Sequence, residues 1–539
     1  MLMLIVACDV IAHKRGSYKM ENNLKKEKLD CCENEKNIVE GKSSCFKRNG
    51  LKILFLFLLF LGILLFSASI WYTNTFSDVG FDAVIFTIFS PLAGAQPGIV
   101  YGFLKWALLP SVLSLVILIP LFFCKFGGKI SFFPLSKKFI AIFSGVISVS
   151  LIGFAAFNVG LPEYIYNVSH ESNFFEKYYV DPDDVSIKFP ENKKNLVYIF
   201  LESMETTYLS KNEGGAMEHN LIPELYELAS ENINFSHNDD VGGFVPTTGG
   251  TWTIAAITSQ TAGIPLKAGL FERNEFGKDS FLAGAKNITT ILKDNGYYQA
   301  LMFGSDASFA NRDVYYKDHG IDAIYDLFTA RSDGIVPEDY HVWWGMEDLH
   351  LFEYAKQKLL EISQKEQPFA FTMLTVDTHH VAGYKCELCE DTYSEQYDNV
   401  ISCSSKQVYE FIDWIKQQSF YENTTIVICG DHLTMDGEYI ERNVESDYEQ
   451  HVYNCIINSE KASENYKNRE FCGMDMFPTT LVAMGCEIPG DRLGLGTNLF
   501  SDKPTLIEEL GYENFDEEIS FSSEFYVKNF IGSEIPNKE

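Results

Sequence analysis

The stretch NLVYIFLE, residues 195–202, is the most informative part of this chain about its fold. It is a near-continuous apolar run, which is typical of a strand buried on both faces of a parallel sheet. Two more stretches of this kind follow, FAFTMLTVDTHH at 369–380 and TTIVICGDH at 424–432. Because helical patterns separate these strands, the sequence predicts an α/β domain with a mostly parallel central sheet.

Each of these strands ends in side chains that bind metal ions or transfer protons, namely Glu202, His379, Asp431 and His432. Ligands of open parallel sheets bind outside the carboxyl ends of the strands, so we expect these side chains to converge. Carboxylates and an imidazole suit Mn²⁺, Zn²⁺ or Mg²⁺. His379 would bind phosphate oxygens or protonate a departing alkoxide. Taken singly, each residue has an ordinary structural explanation, such as a solvated strand end or a turn.

A Gly- and Thr-rich loop, VGGFVPTTGGTWTIAAITSQTAGIPL at 241–266, runs into a helix-compatible stretch near Thr253. A hydroxyl at a helix start lies beside unpaired N–H groups and the positive end of the dipole, where phosphate or sulfate is favoured. Thr253 is therefore the candidate nucleophile and a further metal ligand, because a bound ion would activate its hydroxyl. Thr251 is the alternative nucleophile, and helix capping is the alternative role for either threonine.

The composition excludes several classes of function. The chain has 539 residues, of which 46% are hydrophobic and 22% charged, which excludes a disordered protein. It has 43 Lys and Arg against 74 Asp and Glu, a formal charge of -31, which argues against a nucleic-acid partner. Because the protein is strongly negative, binding of an anionic substrate would need a local positive charge at the site, such as a metal ion.

The apolar runs near the N-terminus predict a membrane region over 51–161. Stretches of about 20 uncharged residues can cross a membrane as helices, and three are predicted, at about 53–72, 106–123 and 139–161. The Gly- and Pro-containing stretch 81–100 is apolar but interrupted, and is interpreted as interfacial or re-entrant.

Lysine placement predicts the orientation of these spans. Residues 13–52 and 125–138 are rich in Lys, whereas 73–104 contain neither Lys nor Arg. With three spans the N-terminus lies in the cytoplasm and everything after residue 161 lies outside, whereas an even number would reverse this. The predicted divisions are a cytoplasmic segment 1–50, the membrane region 51–161, a linker 162–194, an extracytoplasmic catalytic domain 195–504 and a tail 505–539.

Of the twelve cysteines, Cys386, Cys389 and Cys403 surround the loop YKCELCEDTYSEQYDNVISC. This spacing allows a disulfide or free thiols. Part of a zinc knuckle has less support, because the sequence offers no convincing fourth ligand.

Several stretches resemble the lipoteichoic acid synthases and membrane phosphoglycerol transferases, within the sulfatase-like branch of the alkaline phosphatase superfamily. The resemblance covers most of 195–501 in the expected order. The matching stretches are NLVYIFLESMETTYL, NLIPELYELASENINFSHN, GGTWTIAAITSQTAGIPL, ASFANRDVYYKDHGID, WWGMEDLHLFEYA, TTIVICGDHL and GDRLGLGTNLFS.

The resemblance implies one divalent ion, commonly Mn²⁺, at positions matching Glu202, Thr253, Asp431 and His432. It implies that Thr253 attacks phosphatidylglycerol, releases diacylglycerol and carries glycerophosphate until a glycan or polyglycerolphosphate hydroxyl takes it. Arg312, in FANRD, matches an arginine that binds the substrate phosphate in lipoteichoic acid synthases. The planar guanidinium group suits this contact, because it can donate two parallel hydrogen bonds. The ordinary alternative for Arg312 is a surface ion pair.

This chain also departs from the family. Lipoteichoic acid synthases have an aromatic residue where this chain has Ala310. Near the position of a family histidine, this chain has Gly304 and Asp306. These departures predict a glycerol pocket that differs from that of the synthases, and a different acceptor is one consequence. His451 matches a further phosphate-binding histidine or is a plain strand residue. The relatives that synthesise polymers usually have about five membrane spans, whereas three are predicted here. This membrane architecture is more similar to that of the transferases that decorate periplasmic glucans.

Two other functions remain compatible with these residues. One is a phosphoethanolamine transferase with the same fold, and the other is an inactive membrane-tethered binding domain. Sulfate-ester hydrolysis is less favoured because the region around Thr253 lacks the Cys/Ser-x-Pro-x-Arg motif of sulfatases.

Overall fold

The computed structural model describes residues 50, 52–76, 80–90, 96–123, 137–268, 280–462 and 466–531. Almost all of the predicted cytoplasmic segment, residues 1–50, therefore lies outside the described residues. Internal contacts divide the chain into two units. The smaller unit comprises Met1–Leu64 and Ser111–Ile152, and the larger comprises Leu65–Pro110 and Gly153–Glu539.

Two helical segments are long and apolar enough to cross a membrane, Lys52–Thr75 (α1) and Pro97–Pro120. The pair Ile142–Asn158 and Leu161–Ser169 meets the same test but is bent by 66°, so the described residues offer two spans, or three if the pair counts as one. The first segment matches the predicted span. The second begins earlier than predicted and takes in the end of the stretch that was expected to be interfacial.

The larger unit is built on a seven-stranded sheet with the order β2-β7-β6-β1-β5-β3-β4. The strands β6, β1, β5, β3 and β4 pair in parallel, whereas β7 is antiparallel to both β6 and β2. The predicted mostly parallel α/β sheet is therefore confirmed. Its strands are β1 Asn195–Leu201, β2 Gly243–Phe244, β3 Tyr298–Phe303, β4 Ala323–Tyr325, β5 Phe369–Leu374, β6 Thr424–Gly430 and β7 Val452–Ile457.

Both faces of this sheet are covered, which explains the unbroken apolar runs. Alternate residues of β1 point into two separate hydrophobic clusters, with Tyr198 and Phe200 in one and Ile199 and Leu201 in the other. The helices that cover the sheet are α8 Pro223–Glu231, α9 Thr253–Ala262, α10 Ile288–Asp294, α13 Asp348–Ile362, α14 Gln396–Lys416 and α16 Met476–Ala483. Buried residues of α9, α10 and α16 complete the first cluster, and those of α8, α13 and α14 complete the second.

The remaining helices are shorter or lie near the N-terminus. They are α2 Phe81–Phe89, α3 Pro97–Phe103, α4 Leu109–Phe123, α5 Lys137–Asn158, α6 Leu161–Ser169, α7 Phe174–Tyr178, α11 Arg312–Asp318, α12 Leu327–Ser332, α15 Gly437–Asn443, α17 Leu506–Leu510, α18 Tyr512–Ser520 and α19 Glu524–Tyr526. A two-stranded sheet, β8 Arg492–Leu493 and β9 Gly496–Thr497, completes the unit.

The segments expected to be a linker and a tail pack into the core of the larger unit. Phe174 contacts Phe515, and Phe175 contacts Tyr526 and Phe530, at ring-centroid distances of 5.5–6.1 Å. All five of these rings are buried. Single aromatic residues in short helices anchor these segments, and such a pattern lacks the long periodicity from which a helix is predicted.

Candidate active site

The strand register brings two carboxylates together at one edge of the sheet. Leu201 of β1 pairs with Gly430 of β6, so the next residues, Glu202 and Asp431, leave the sheet side by side. The backbone N–H of Asp431 donates to the carbonyl of Leu201 at 3.0 Å, which continues the ladder by one residue. Both acidic side chains are buried.

The negative charges of this buried acid pair are not fully balanced by hydrogen-bond donors or cations among the described residues. Burial and, after it, the charge of Asp431 hold the pKa of Glu202 well above its usual range, although the Ser203 hydroxyl donates to Glu202 Oε1 at 2.9 Å. Asp431 Oδ1 accepts the N–H groups of Ser203 and His432, each at 2.8 Å. Its Oδ2 is buried and has no hydrogen-bond partner among the described residues. Two adjacent buried carboxylates with an orphaned oxygen fit a bound cation.

His432 presents a nitrogen lone pair to the same point. Its Nδ1 lies 2.6 Å from the carbonyl of Leu433 and donates to it, which leaves Nε2 unprotonated in the neutral ring. Nε2 lies 3.3 Å from Asp431 Oδ2 and 3.6 Å from Glu202 Oε1. Ligand atoms of these three residues all lie within 4.8 Å of one another. A histidine whose other nitrogen is held by a carbonyl is the usual arrangement of a metal ligand.

Thr253 is the first residue of α9 and completes this cluster. Its Oγ1 lies 3.5 Å from Glu202 Oε2 and 3.4 Å from His432 Nε2. Unlike the three ligand candidates, Thr253 is partly exposed. Thr251 makes no side-chain hydrogen bond with any of these groups in the described part of the chain. Of the two candidate threonines, Thr253 is therefore the one whose hydroxyl lies in this cluster.

A buried glutamine, which the motifs in the sequence did not single out, fixes α9 against the sheet. Gln260 Nε2 donates to the carbonyls of Gly430 and Asp431, at 3.0 and 3.2 Å. Its Oε1 accepts the hydroxyl of Tyr198 at 2.9 Å. The only signal in the sequence was a large polar residue within a run of small and apolar ones. This bridge ties the last turn of α9 to the end of β6.

Arg312 begins α11 and is fully buried. Its Nη2 donates to Ser305 Oγ at 2.8 Å and to the carbonyl of Asp306 at 2.7 Å, and the guanidinium lies 4.3 Å from the ring centre of Phe303. Burial lowers its pKa to about 10, and the charge of Glu202 is the largest opposing influence. Arg312 thus stays protonated at neutral pH, within electrostatic reach of the acidic pair. Its Nη1 makes no hydrogen bond within the described residues.

His379 lies on the loop after β5 in a wall of aromatic rings. Its Nδ1 lies 2.7 Å from the carbonyl of His380, and its ring lies 4.3 Å from that of Trp344. Burial, with smaller contributions from the nearby His432 and Arg312, lowers the pKa of His379 to about 3. The ring is therefore uncharged at neutral pH.

The positions that depart from the family lie near Arg312. At Gly304 a Cβ would come within 2.7 Å of the Met346 carbonyl, so the backbone there has no room for a side chain. Ala310 has a φ of 54°, in the left-handed region, and the turn it makes leads into α11. The Asp306 carboxylate accepts the N–H and hydroxyl of Ser308, at 2.9 and 2.7 Å, and so caps the same turn.

His451 lies apart from this cluster in its hydrogen bonding. Its ring stacks on that of His237 with centroids 3.5 Å apart, and its Nδ1 lies 2.9 Å from the Glu449 carbonyl. It makes no hydrogen bond with Glu202, Asp431 or His432 among the described contacts. The structure therefore favours the ordinary structural role for His451.

The family model for sulfatases matches residues 194–486, and the chain belongs to the sulfatase family. Among curated proteins it is similar to phosphoglycerol transferase I of Xanthomonas axonopodis pv. citri (strain 306), with 30% identity over 317 residues, 55% of this chain and 42% of that protein. Phosphoglycerol transferase I of Escherichia coli (strain 55989 / EAEC) is 32% identical over 334 residues, 61% of this chain and 41% of that protein.

Among solved structures, the chain is similar to the lipoteichoic acid synthase LtaP from Listeria monocytogenes, at 20% identity. That match covers 61% of this chain and 80% of the other, with a TM-score of 0.45. The match to the sulfatase model and the phosphoglycerol transferase relatives confirm the resemblance predicted from the ordered motifs. The chain spans about two fifths of the length of these curated relatives.

Proposed function

We propose that this protein transfers glycerophosphate from phosphatidylglycerol to a hydroxyl of a glycan or a glycerophosphate polymer, with Thr253 as the covalent carrier. One observation carries the proposal: the Thr253 hydroxyl, at the start of α9, lies 3.4–3.5 Å from both His432 and Glu202. A nucleophile among metal ligands at a helix N-terminus suits attack on an anionic phosphodiester. The names of the curated relatives support the choice of phosphoglycerol as the transferred group.

The residues fit one divalent ion, with Mn²⁺ as the first choice and Zn²⁺ or Mg²⁺ as alternatives. Glu202, Thr253, Asp431 and His432 would hold it, and the orphaned Asp431 Oδ2 is the atom that most requires it. Such an ion neutralises the charge of the attacked phosphate and lowers the pKa of the threonine hydroxyl.

In the first half-reaction, Thr253 Oγ1 forms a bond to phosphorus and the bond from phosphorus to the diacylglycerol oxygen breaks. The threonine loses its proton and the departing diacylglycerol oxygen gains one. Arg312, held by Ser305 and the Asp306 carbonyl, keeps Nη1 available for a phosphate oxygen. A buried, preoriented guanidinium stabilises the charge that spreads over these oxygens without reorganising.

In the second half-reaction, the acceptor hydroxyl attacks phosphorus and the bond to Thr253 breaks, so the threonine regains a proton. His379 is uncharged, and its Nδ1 proton is held by the His380 carbonyl, so its Nε2 can accept a hydrogen bond from the incoming hydroxyl and orient that hydroxyl toward phosphorus. Two successive displacements at the same phosphorus predict ping-pong kinetics.

The segment that follows α1 supports a lipid donor, because it contacts the loops of the site. Phe76 lies 5.0 Å from the ring of His380, and Phe86 of α2 lies 6.1 Å from the ring of Trp252, next to the nucleophile. A membrane protein with its catalytic domain outside the cell, as the lysine asymmetry predicts for three spans, would receive its donor from the outer leaflet. Reporter fusions after residue 169 test whether the catalytic domain lies outside the cell. Activity of a reporter that works only in the cytoplasm would overturn the predicted orientation.

The test uses the full chain in detergent with phosphatidylglycerol labelled in its head group, and Mn²⁺. We expect release of diacylglycerol and label on the protein, both abolished in Thr253→Ala and retained in the matched control Thr251→Ala. Full turnover by Thr253→Ala would show that another residue is the nucleophile. Labelling only from phosphatidylethanolamine would indicate phosphoethanolamine transfer, and a wild type that releases no diacylglycerol from either lipid would indicate a binding domain.

A further inference from the structure

A second cluster of ligating side chains lies outside the active site. Cys386 Sγ lies 3.5 Å from Cys389 Sγ and 3.9 Å from Cys403 Sγ, and one ligand atom from each residue lies within 4.8 Å of the others. Cys386 and Cys389 belong to the loop after β5, and Cys403 lies on α14. All three thiols are buried, with Tyr384 packed against them.

A polar side chain points into this cluster and is incompletely paired. Gln407 lies one turn after Cys403 on α14, and its Nε2 is 3.5 Å from Cys403 Sγ and 3.8 Å from Cys386 Sγ. Gln407 is only 5% exposed, and its Oε1 is buried with no hydrogen-bond partner among the described residues. A half-turn of the carboxamide exchanges its oxygen and nitrogen, which would direct the unpaired oxygen at the thiols.

We propose that Cys386, Cys389, Cys403 and the carboxamide oxygen of Gln407 form a tetrahedral site for Zn²⁺. Zinc–sulfur bonds of about 2.3 Å and zinc–oxygen bonds of about 2.1 Å give tetrahedral edges of about 3.8 Å between sulfurs and about 3.6 Å between sulfur and oxygen. The observed sulfur separations of 3.5 and 3.9 Å, and the amide separations of 3.5 and 3.8 Å, match these edges. A disulfide needs its two sulfurs about 2.05 Å apart.

The ligand types separate this site from the active site. Thiolates are soft ligands that select zinc over manganese or magnesium, whereas the carboxylates of Glu202 and Asp431 suit the harder ions. On binding, each of the three thiols would lose its proton to solvent, because the thiolate is the ligand. The sequence had suggested no fourth ligand. The fold supplies one because α14 places Gln407 four residues after Cys403, on the same face of the helix.

The cluster lies at one end of the loop that carries His379. Tyr384, which packs against the thiols, donates its backbone N–H to the Asp377 carbonyl at 2.7 Å. Its ring stacks on that of Trp343 at 6.0 Å, and Trp343 in turn contacts the ring of His379 at 5.9 Å. A zinc ion here would therefore tie this loop to α14 and position His379, without contacting substrate.

The metal content of the purified full chain tests the proposal. We expect one equivalent of zinc that persists in Asp431→Asn and is lost in Cys386→Ser and in Cys389→Ser. In Gln407→Leu we expect zinc affinity to fall about 10- to 100-fold. Cys486→Ala, which changes a buried thiol outside the cluster, is the matched control and should keep its zinc. Retention of zinc by both cysteine variants when they are combined with Asp431→Asn would overturn the assignment.

Two measurements on unaltered cysteines guard against variants that fail to fold. Loading Asp431→Asn with Co²⁺ should produce a thiolate-to-cobalt charge-transfer band, and its absence would contradict a thiolate site. Alkylation without reductant followed by mass spectrometry should find Cys386, Cys389 and Cys403 as thiols once zinc is removed. A disulfide between any two of them in freshly purified protein would overturn the proposal.

Discussion

Oγ1 of Thr253 lies 3.4 Å from Nε2 of His432, although 179 positions separate the two residues along the chain. The contact exists because His432 follows the carboxyl end of the central strand β6, and the first residue of α9, Thr253, lies at the same end of the sheet. Because Nδ1 donates its proton to the Leu433 carbonyl, Nε2 is the ring nitrogen that faces the threonine. The Thr253 hydroxyl and the His432 imidazole thus lie beside the Glu202 carboxylate as well as beside each other.

The carboxylate pair predicts opposite effects of Asp431→Asn with and without metal. Burial and, after it, repulsion by Asp431 raise the pKa of Glu202. Without metal, the variant relieves this repulsion, so it should unfold at a higher temperature than the wild type. With Mn²⁺ the order should reverse, and the affinity for the ion should fall by at least about 100-fold. Calorimetric melting with chelator and with Mn²⁺ measures both effects. An unchanged order in the two conditions would show that no ion binds between these acids.

Arg312→Lys should impair the enzyme although it conserves the charge. A lysine cannot keep the bonds to Ser305 and the Asp306 carbonyl, the stack on Phe303 and a free donor at the same time. We expect kcat/KM to fall about 10- to 100-fold, which corresponds to the roughly 1.5–3 kcal/mol of a hydrogen bond to a charged group. Steady-state kinetics measure this, and Arg331→Lys, outside the site, is the control. Equal activity of the two variants would remove Arg312 from phosphate binding.

Gln260→Leu should weaken both the fold and the metal site. It removes the donor to the Gly430 and Asp431 carbonyls and leaves them buried without a partner, which costs about 1–3 kcal/mol for each. Tyr198→Phe removes only the bond to Gln260 and should cost about 1 kcal/mol. Urea unfolding and Mn²⁺ titration of both variants test this ranking. Tighter metal binding by Gln260→Leu than by Tyr198→Phe would contradict the positioning role.

Asp475, before α16, predicts a pH-dependent contribution to stability. Burial raises its pKa to about 6 from 3.8, although the N–H groups of Cys472 and Thr497 donate to it. A raised pKa means that the folded state holds the proton more tightly, so this contribution is full below pH 4 and is lost as the pH rises through 6. The free energy of unfolding of the wild type minus that of Asp475→Asn should therefore fall by about 2 kcal/mol between pH 4 and 7. Urea titrations at each pH measure it, and a difference independent of pH would refute the shift.

The buried rings of the C-terminal helices predict that this region is required for folding. Tyr526 contacts Phe175 and Phe530, and its hydroxyl donates to the Pro265 carbonyl at 2.9 Å. Tyr526→Ala should reduce the free energy of unfolding by about 3–5 kcal/mol, the usual effect of truncating a buried aromatic ring. Tyr512→Ala, at a ring that is 39% exposed, is the comparison and should have a smaller effect. Similar melting temperatures for the two variants would mean that the helices are dispensable.

Much of the candidate site could be read from local sequence because strand ends carry a recognisable pattern. The apolar runs that end at Glu202, His379 and Asp431 predicted both the parallel sheet and the edge at which ligands bind. The segments expected to be a linker and a tail were harder, because their packing depends on isolated aromatic rings. Gln260 could not be assigned either, since its role is a bridge between two elements that only the folded chain brings together.

The order of apolar runs and the identity of the residues that end them are local properties, and they sufficed for the fold class, the family and the acids of the site. Distances between remote residues are not local, because they depend on strand register and helix packing. The choice of Thr253 over Thr251 and the pairing of His451 with His237 depend on such distances. So does the convergence of Gln407 with three cysteines, which no spacing of cysteines along the chain could reveal.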